Sequence, residues 1–164
     1  MKKIVLKLAT TIVYLFFIAS FSAQAQFMDK GDVLGSGGFY FPSGGTLIRA
    51  SVDFGVAPNV SVGGHFLNVI SGGSGSYLGG RVSYHLGEAF GVRDTRTLDP
   101  YVGGQIGKFF EESTGVTLNL PIGLRFMFND KVGAYGEYLI SLNESSSGGI
   151  PSMFGIGVSF RFNN

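Results

Sequence analysis

The stretch "FGIGVSFRF", from Phe154 to Phe162, alternates between large apolar residues and small or polar ones. Its apolar positions are Phe154, Ile156, Val158, Phe160 and Phe162, and the positions between them are Gly155, Gly157, Ser159 and Arg161. Successive side chains of a β-strand point to opposite faces, so the pattern predicts a strand with one apolar face. The fold then depends on where that face lies, because a soluble sheet buries it and a membrane barrel exposes it to lipid.

The composition is unusual for a soluble domain. The chain has 164 residues, enough for one domain, but charged residues make up only 14% of it. Typical soluble domains contain about 25% charged residues. Glycine (27 residues), phenylalanine (16) and tyrosine (7) are abundant. No cysteine is present, which excludes disulfides and thiolate metal sites.

The N-terminus has the features of an export signal. A basic start with three lysines precedes an apolar run over residues 8–21, and Ala23-Gln24-Ala25 supplies a small-x-small cleavage pattern. The run is shorter than the ~17–25 residues that a spanning helix needs. We therefore predict a cleaved signal peptide over residues 1–25. Without its three lysines, nine basic residues stand against eleven acidic ones, and a net charge of −2 does not support a nucleic-acid-binding surface.

After residue 26, the chain consists of period-2 runs separated by turn residues, with no convincing amphipathic helix. Eight runs can be counted, and each is near the ~9–11 residues with which a tilted strand crosses a bilayer. They cover residues 33–41, 46–56, 60–67, 77–86, 101–110, 116–128, 132–142 and 154–162. The pattern predicts eight antiparallel strands joined in sequence order.

The connections between these runs predict an orientation. If both termini lie in the periplasm, four loops face outward and three turns face the periplasm. The outer loops are residues 42–45, 68–75, 111–115 and 143–152, and the periplasmic turns are residues 57–59, 87–100 and 129–131. The outer loops are short and rich in Gly and Ser, whereas segment 87–100 is unexpectedly long for a periplasmic turn. We predict that this segment offers a periplasmic contact.

The less apolar strand faces carry charges of both signs among small residues. Their larger polar residues are Arg49, Asp53, His65, Arg81, His85, Gln105, Asn119, Arg125, Glu137 and Arg161. A soluble barrel with an apolar interior, as in lipocalins, would carry many Lys and Glu on its outer wall, but Lys108 is the one lysine in these strands. The apolar faces carry no charge until a strand end, and an Arg or Lys at the bilayer midplane would cost about 2–4 kcal/mol. The sequence therefore predicts an all-β, eight-stranded, antiparallel up-and-down transmembrane β-barrel over residues 26–164.

The chain resembles the small eight-stranded outer-membrane β-barrels of Gram-negative bacteria, of the OmpX and OmpA-membrane-domain type within the porin family. The resemblance covers residues 26–164, and its most specific pieces are "LDPYVGGQIG", from Leu98 to Gly107, and the C-terminal strand with alternating aromatics. It implies an outer-membrane location, contact with outer-membrane lipid and lipopolysaccharide, and insertion by the barrel-assembly machinery. That machinery reads a C-terminal strand that ends in an aromatic residue. Phe160 and Phe162 are thus the predicted assembly signal, although two asparagines follow them.

Seven polar side chains are predicted to form a network inside the barrel: Arg49, Asp53, His65, Arg81, Arg125, Glu137 and Arg161. Strand pairing places Asp53 diagonal to His65, His65 near Arg81, and Arg125 diagonal to Glu137. Arg161, on the next strand, is the predicted partner of Glu137. The expected role is to neutralise buried charge and fill the lumen, because eight strands enclose barely enough space for their own side chains. The alternative is a gated path for protons or ions.

Catalysis is the second possibility, since some barrels of the group that the chain resembles modify lipid A with a His, a Ser and an acidic residue near the outer leaflet. This chain has two histidines, His65 and His85, and neither stands in a His-x-Ser context. A Ser–His–acid triad is recognised by geometry and not by spacing, so the sequence leaves that possibility open. No phosphate-binding loop, Cys/His metal spacing or paired-carboxylate motif is present. We predict no catalytic, cofactor-binding or metal-binding residues and no enzyme activity.

Glycine pairs at residues 63–64, 79–80 and 103–104 lie within predicted strands. They provide curvature and space for lumen side chains, or else a thin wall against which another membrane protein packs. The short outer loops argue against a large adhesive or receptor surface. The predicted function is therefore a structural or interaction barrel, alone or as a subunit of a larger outer-membrane complex. The alternative is a lipid A-modifying enzyme or a narrow gated channel.

Overall fold

The computed structural model describes residues 27–87, 97–110, 115–143 and 151–162. The predicted signal peptide over residues 1–25 and most of segment 87–100 lie outside them. Eight strands account for most of the described chain: β1 (Val33–Phe41), β2 (Thr46–Ala57), β3 (Val60–Ser71), β4 (Ser76–His85), β5 (Leu98–Phe109), β6 (Val116–Met127), β7 (Val132–Ser141) and β8 (Met153–Arg161). Within these ranges, no helix is long and apolar enough to cross a membrane.

Consecutive strands pair antiparallel, and β1 also pairs with β8, which closes the sheet into a barrel. In this closing ladder Gly37 lies opposite Val158, and Gly35 lies opposite Phe160. Closure gives partners to the backbone N–H and C=O groups of both edge strands, which an open sheet in lipid would leave unpaired. The prediction of an eight-stranded antiparallel barrel is confirmed, and β8 is the strand that closes it.

The two ends of the barrel differ in what they carry. The segment before β1, the end of β8 and the connections after β2, β4 and β6 lie at one end, which we call the terminal end. The connections after β1, β3, β5 and β7 lie at the opposite end, which we call the loop end. Every strand therefore runs from one end to the other.

Two strands extend beyond the predicted bounds by three or more residues. β3 continues past residue 67, because Asn68 pairs with Ser76 on β4 and accepts a hydrogen bond from its Oγ at 3.0 Å. β5 begins before residue 101, because Asp99 pairs with Arg125 on β6. Both extensions contain residue types that favour turns, such as Asn, Ser and Asp-Pro, but the neighbouring strand offers their backbone a ladder partner.

Large apolar side chains cover the outside of the barrel. The exposed ones include Phe39, Ile48, Val52, Phe54, Val62, Phe66, Leu78, Val82, Ile106, Leu118, Ile122, Leu124, Phe126, Phe154, Ile156 and Val158. Among the charged residues of the eight strands, Lys108 alone is exposed, and it lies next to the loop end of β5. An apolar outer belt with charges turned inward is the arrangement that lipid requires, and it contradicts the soluble alternative.

The interior has three layers along the barrel axis. An apolar cluster lies toward the loop end and consists of Tyr40, Leu47, Leu67, Tyr77, Tyr135, Leu139 and Met153. A smaller apolar cluster lies at the terminal end and consists of Phe27, Met28, Leu34 and Met127. Most of the buried charged side chains lie between these two clusters, in the middle part of the strands. The polar middle of the lumen is where a functional site has to be sought.

Candidate functional site in the barrel interior

The carboxylate of Glu137 on β7 is the centre of one group of polar contacts, which we call the Glu137 centre. Oε1 accepts hydrogen bonds from the hydroxyl of Tyr40 at 2.7 Å and from Nη1 of Arg49. Oε2 accepts from the hydroxyl of Tyr101 at 2.9 Å and from Nη1 of Arg81 at 3.2 Å. These donors come from β1, β2, β5 and β4, so one buried carboxylate connects five of the eight strands.

Arg81 extends the Glu137 centre toward β2. Its Nε lies 3.4 Å from Oδ1 of Asp53, and its Nε and Nη2 donate to Oγ of Ser83 at 3.1 Å and 3.0 Å. Its guanidinium carbon lies 5.5 Å from the ring centroid of Tyr101. Two arginines and two carboxylates therefore balance one another in this part of the lumen, which is the condition for keeping charge out of water.

Asp99 on β5 is the centre of a second group, closer to the terminal end. Its Oδ2 accepts from Nη1 of Arg125 at 2.8 Å, and both carboxylate oxygens lie 2.9 Å from Nδ1 of His85. Nε of Arg125 donates to Oγ of Ser159 on β8 at 3.1 Å. Nε2 of His85 lies 3.0 Å from Oγ of Ser61 on β3. We call these contacts the Asp99 centre.

Ser61, His85 and Asp99 form hydrogen bonds in the order of a catalytic triad, with a hydroxyl on one ring nitrogen and a carboxylate on the other. Three features differ from a working hydrolase. Asp99 also pairs with Arg125, the ring of Phe27 stacks on the imidazole of His85, and all three residues of the series are buried. The sequence leaves such an arrangement open, and only the folded barrel brings its members together.

All seven residues of the predicted network are buried inside the barrel, with exposed fractions between 1% and 8%. Their partners differ from the prediction. Arg161 does not bond Glu137, and its Nη2 donates instead to the carbonyl oxygen of Phe27 at 3.0 Å. Arg125 is diagonal to Glu137 in the ladder, as expected, but its guanidinium turns to Asp99. The physical reason is the narrow lumen, across which long arginine side chains reach strands that are not neighbours in the sheet.

His65 also differs from its predicted contacts. It lies diagonal to Asp53 in the β2–β3 ladder, but neither ring nitrogen has a hydrogen-bond partner within the described ranges. Its ring stacks on that of Tyr77, with centroids 5.3 Å apart. Asp53 pairs with Arg81 instead. His65 is therefore a packed aromatic ring of the lumen and not a member of the ion-pair group.

Several residues of the site were missed at the sequence level. Tyr40 and Tyr101 donate to Glu137, although their large rings look like lipid-facing residues. Their positions carry the missing signal, because both share the parity of the polar face of their strands. Asp99 falls within the predicted turn segment 87–100, but β5 already includes both Asp99 and Pro100.

Metal binding is not favoured by this geometry. Within residues 27–87, 97–110, 115–143 and 151–162, no group of three or more His, Cys, Asp or Glu side chains could hold a metal ion. The carboxylates of Glu137, Asp53 and Asp99 instead pair with arginines. The site is a set of charge pairs between protein groups.

Comparison with known proteins extends this picture at the level of fold. No family model matches the chain, and no curated protein matches it by sequence. The N-terminal β-barrel domain of Pseudomonas aeruginosa OprF is a similar solved structure, with a TM-score of 0.65 and 16% identity over 81% of this chain and 98% of that one.

Two further solved structures are similar to this chain. One is a designed transmembrane β-barrel, with a TM-score of 0.62, 13% identity and coverage of 84% of this chain and 100% of that one. The other is the outer-membrane protein OprG of Pseudomonas aeruginosa, with a TM-score of 0.51, 14% identity and coverage of 86% and 100%. The likeness is one of fold, and it confirms the resemblance to eight-stranded outer-membrane barrels. Together with the apolar belt, this fold places the chain in the bacterial outer membrane, as the sequence predicts.

Proposed function

We propose that this protein is a small integral outer-membrane barrel with a structural or interaction role, whose lumen is closed by its own side chains. The observation that carries the proposal is the Glu137 centre. One carboxylate accepts from two arginines and two tyrosines of four other strands, and this contact set lies across the middle of the barrel. A permanently open pore would need that space for water.

The apolar cluster toward the loop end supports the same proposal. Tyr40, Tyr77 and Leu139 are among its fully buried members, and the ring of Phe109 packs on that of Tyr77 with centroids 5.3 Å apart. Eight strands enclose only enough volume for such side chains. Water and ions entering from the loop end would have to displace this cluster before they reached the Glu137 centre.

The surroundings that we propose for the barrel follow from its outer face. Outer-membrane lipid and lipopolysaccharide would contact the apolar belt, and the barrel-assembly machinery would insert the chain by recognising Phe160 and Phe162, which are both exposed at the terminal end. The terminal end would then face the periplasm.

A second outer-membrane protein is the proposed partner, because the outward-facing Gly64 and Gly80 lie opposite each other and leave the wall thin between β3 and β4.

Conductance tests the closure of the lumen. Purified barrel in planar lipid bilayers should give no lasting open channel. A protein-free bilayer supplies the baseline conductance. Stable openings in most insertions would contradict the proposal and favour the narrow gated channel.

Crosslinking tests the interaction role, with a photoreactive residue in segment 87–100 and a control probe at the exposed Ser43 of the loop end. A protein captured by the first probe alone would identify the periplasmic contact.

The second candidate function is a serine-dependent, lipid-modifying enzyme, and the Ser61–His85–Asp99 series is the observation that favours it. In such a reaction Oγ of Ser61 attacks an ester carbonyl while its proton passes to Nε2 of His85, and the ester C–O bond then breaks as His85 returns that proton to the leaving alkoxide. Water or an acceptor hydroxyl then takes the acyl group from Ser61, giving its own proton to His85, which returns it to Oγ of Ser61. Two measurements decide it. An enzyme of this kind would show labelling of Ser61 by a fluorophosphonate that Ser61→Ala abolishes, and a mass difference of one acyl chain between lipid A from cells with and without the protein. We expect neither result, because the series is buried and lies toward the terminal end, away from the outer leaflet.

A further inference from the structure

The segment that precedes β1 enters the opening of the lumen at the terminal end of the barrel, which we call the terminal mouth. Phe27 and Met28 are almost completely buried, at 2% and 0% exposure. The ring of Phe27 stacks on the imidazole of His85, with centroids 5.4 Å apart and planes 24° apart. The guanidinium carbons of Arg161 and Arg125 lie 4.7 Å and 5.4 Å from the same ring centroid. A phenylalanine is thus held between one imidazole and two guanidinium groups.

Backbone hydrogen bonds hold the same segment on the turn between β2 and β3. The N–H of Asn59 donates to the carbonyl of Met28 at 3.2 Å. Gly55 accepts from the N–H of Gly31 and donates to the carbonyl of Asp32, both at 2.9 Å. Gly31 has a φ of 97°, which lets the chain turn from the mouth into β1 at a position that suits glycine.

Gly55 is matched to this segment. A Cβ built on it would overlap the carbonyl oxygen of Asp29, so no other residue allows the segment to lie so close to β2. The next three residues of the segment, Asp29, Lys30 and Gly31, are exposed. The segment is therefore held by its first two side chains and by a few backbone contacts, and its middle is in solvent.

We propose that the terminal mouth is a docking site for the aromatic side chain of Phe27, and that residues 27–32 are a displaceable plug of this chain. The docked ring covers His85 and, through it, the Asp99 centre. The plug differs from the closure of the lumen described above, because the Glu137 centre and the loop-end cluster contain no residue of this segment. Displacing Phe27 would open the terminal end down to the Asp99 centre and leave the middle of the lumen closed.

The site also has a defined chemistry. Its walls offer the imidazole of His85, the guanidinium groups of Arg125 and Arg161, and the ring of Tyr101, whose centroid lies 6.2 Å from that of His85. Such walls select a flat ring with a negative face over an aliphatic side chain of equal volume. Phe27→Leu should therefore dock less well than Phe27→Trp or Phe27→Tyr.

Tryptophan fluorescence tests the docking, because the chain has no tryptophan and a single substitution becomes the only reporter. Phe27→Trp places the reporter in the site, and Lys30→Trp places it three residues away on the exposed part of the same segment. Both variants, without the predicted signal peptide over residues 1–25, are refolded into lipid vesicles, and each is quenched by acrylamide from water and by brominated lipid from the membrane. Heat-dependent mobility on gels checks that each barrel has folded.

We expect acrylamide to quench the tryptophan at position 27 several-fold less than it quenches the tryptophan at position 30. Brominated lipid should also quench the tryptophan at position 27 several-fold less than acrylamide quenches the one at position 30. Acrylamide quenching equal to that of Lys30→Trp would mean that the segment is free, and it would overturn the proposal. Strong quenching by brominated lipid would also overturn it, because the ring would then lie in the membrane. If Phe27→Trp does not fold, Met28→Trp carries the same test at a position that is equally buried.

Histidine modification tests whether Phe27 shields His85 from solvent. The chain has two histidines, and diethyl pyrocarbonate labelling located by mass spectrometry reports each one separately. In the wild type we expect neither to react. In Phe27→Ala we expect His85 to react, while His65, packed on Tyr77 in the lumen, stays protected as an internal control. A protected His85 in a folded Phe27→Ala barrel would show that Phe27 is not what seals this end.

Discussion

Arg49 and Glu137 are 88 positions apart in the chain, yet they form an ion pair across the lumen of the barrel. Both side chains are buried, and Arg81 binds the other oxygen of the same carboxylate. Removing the carboxylate charge would take from Arg49 the carboxylate that it pairs with and would leave Arg81 paired with Asp53 alone. The stability of the barrel is therefore expected to depend on this single acidic residue.

Glu137→Gln should destabilise the barrel by about 3–5 kcal/mol, since breaking a buried pair from one side leaves an uncompensated charge. Urea unfolding in lipid vesicles measures the free energy of unfolding. Asp130→Asn, in an exposed turn, is the matched control and should have little effect. Adding Arg49→Met to Glu137→Gln should restore part of the loss, because it removes the buried charge whose carboxylate partner is lost. An unfolding midpoint of Glu137→Gln equal to that of the wild type would contradict the role of the Glu137 centre.

Val158→Arg should strongly reduce assembly into membranes. Val158 faces outward near the middle of β8, opposite Gly37 of β1, and an arginine on a lipid-facing midplane costs about 2–4 kcal/mol. The measurement is the yield of folded barrel in vesicles, read from heat-dependent gel mobility. Val158→Leu keeps the face apolar and should fold as the wild type does. Equal yields for the arginine and leucine variants would mean that this face does not meet lipid.

Gly155→Ala should destabilise the barrel by about 1–3 kcal/mol, the usual cost of overpacking a filled interior. A Cβ at this inward position would collide with the ring of Tyr40, whose hydroxyl donates to Glu137. Gly64→Ala is the matched control, because Gly64 faces outward and its new methyl group would meet nothing closer than 3.8 Å. Urea unfolding compares the two variants, and a Gly155→Ala barrel as stable as the control would show that the lumen has room to spare.

Gly55→Ala should displace the plug without harming the barrel wall. The added methyl group would overlap the carbonyl oxygen of Asp29, whereas a methyl group on Gly104 would meet no atom within 4 Å. In the Phe27→Trp background, Gly55→Ala should therefore increase acrylamide quenching, and Gly104→Ala should not. Quenching that stays low in both variants would indicate that the segment finds another path into the mouth.

The protein purified from outer membranes should lack residues 1–25. A basic start, an apolar run and the small-x-small pattern at Ala23 and Ala25 predict cleavage before Gln26. Intact-mass measurement and N-terminal sequencing check the site directly. A substitution of Ala25 by a bulky residue should leave the precursor uncut, while the same substitution at Gln24, the variable position of the pattern, should be cut normally. A mature chain that begins elsewhere would correct the predicted boundary.

The alternation of apolar and polar residues determined the number of strands, their order and their faces, because side-chain direction in a strand depends only on parity. It also separated the lipid side from the lumen side, since charges such as Arg49 and Glu137 fall on one parity and residues such as Ile48 and Tyr138 fall on the other. The extra residues of β3 and β5 were missed, because Asn68 and Asp99 are turn-forming types whose pairing depends on the neighbouring strand.

Which charges meet was decided by the tertiary structure alone. Neighbour rules along the sheet predicted Arg161 beside Glu137, but a closed eight-stranded barrel brings opposite walls within reach of one arginine side chain. Glu137 therefore pairs with Arg49 and Arg81, and Arg161 meets the carbonyl oxygen of Phe27, which precedes the first strand. The sequence by itself determined the wall of the barrel, because alternation is a local property. The contents of the lumen depended on closure, because contacts across it join residues that no local pattern relates.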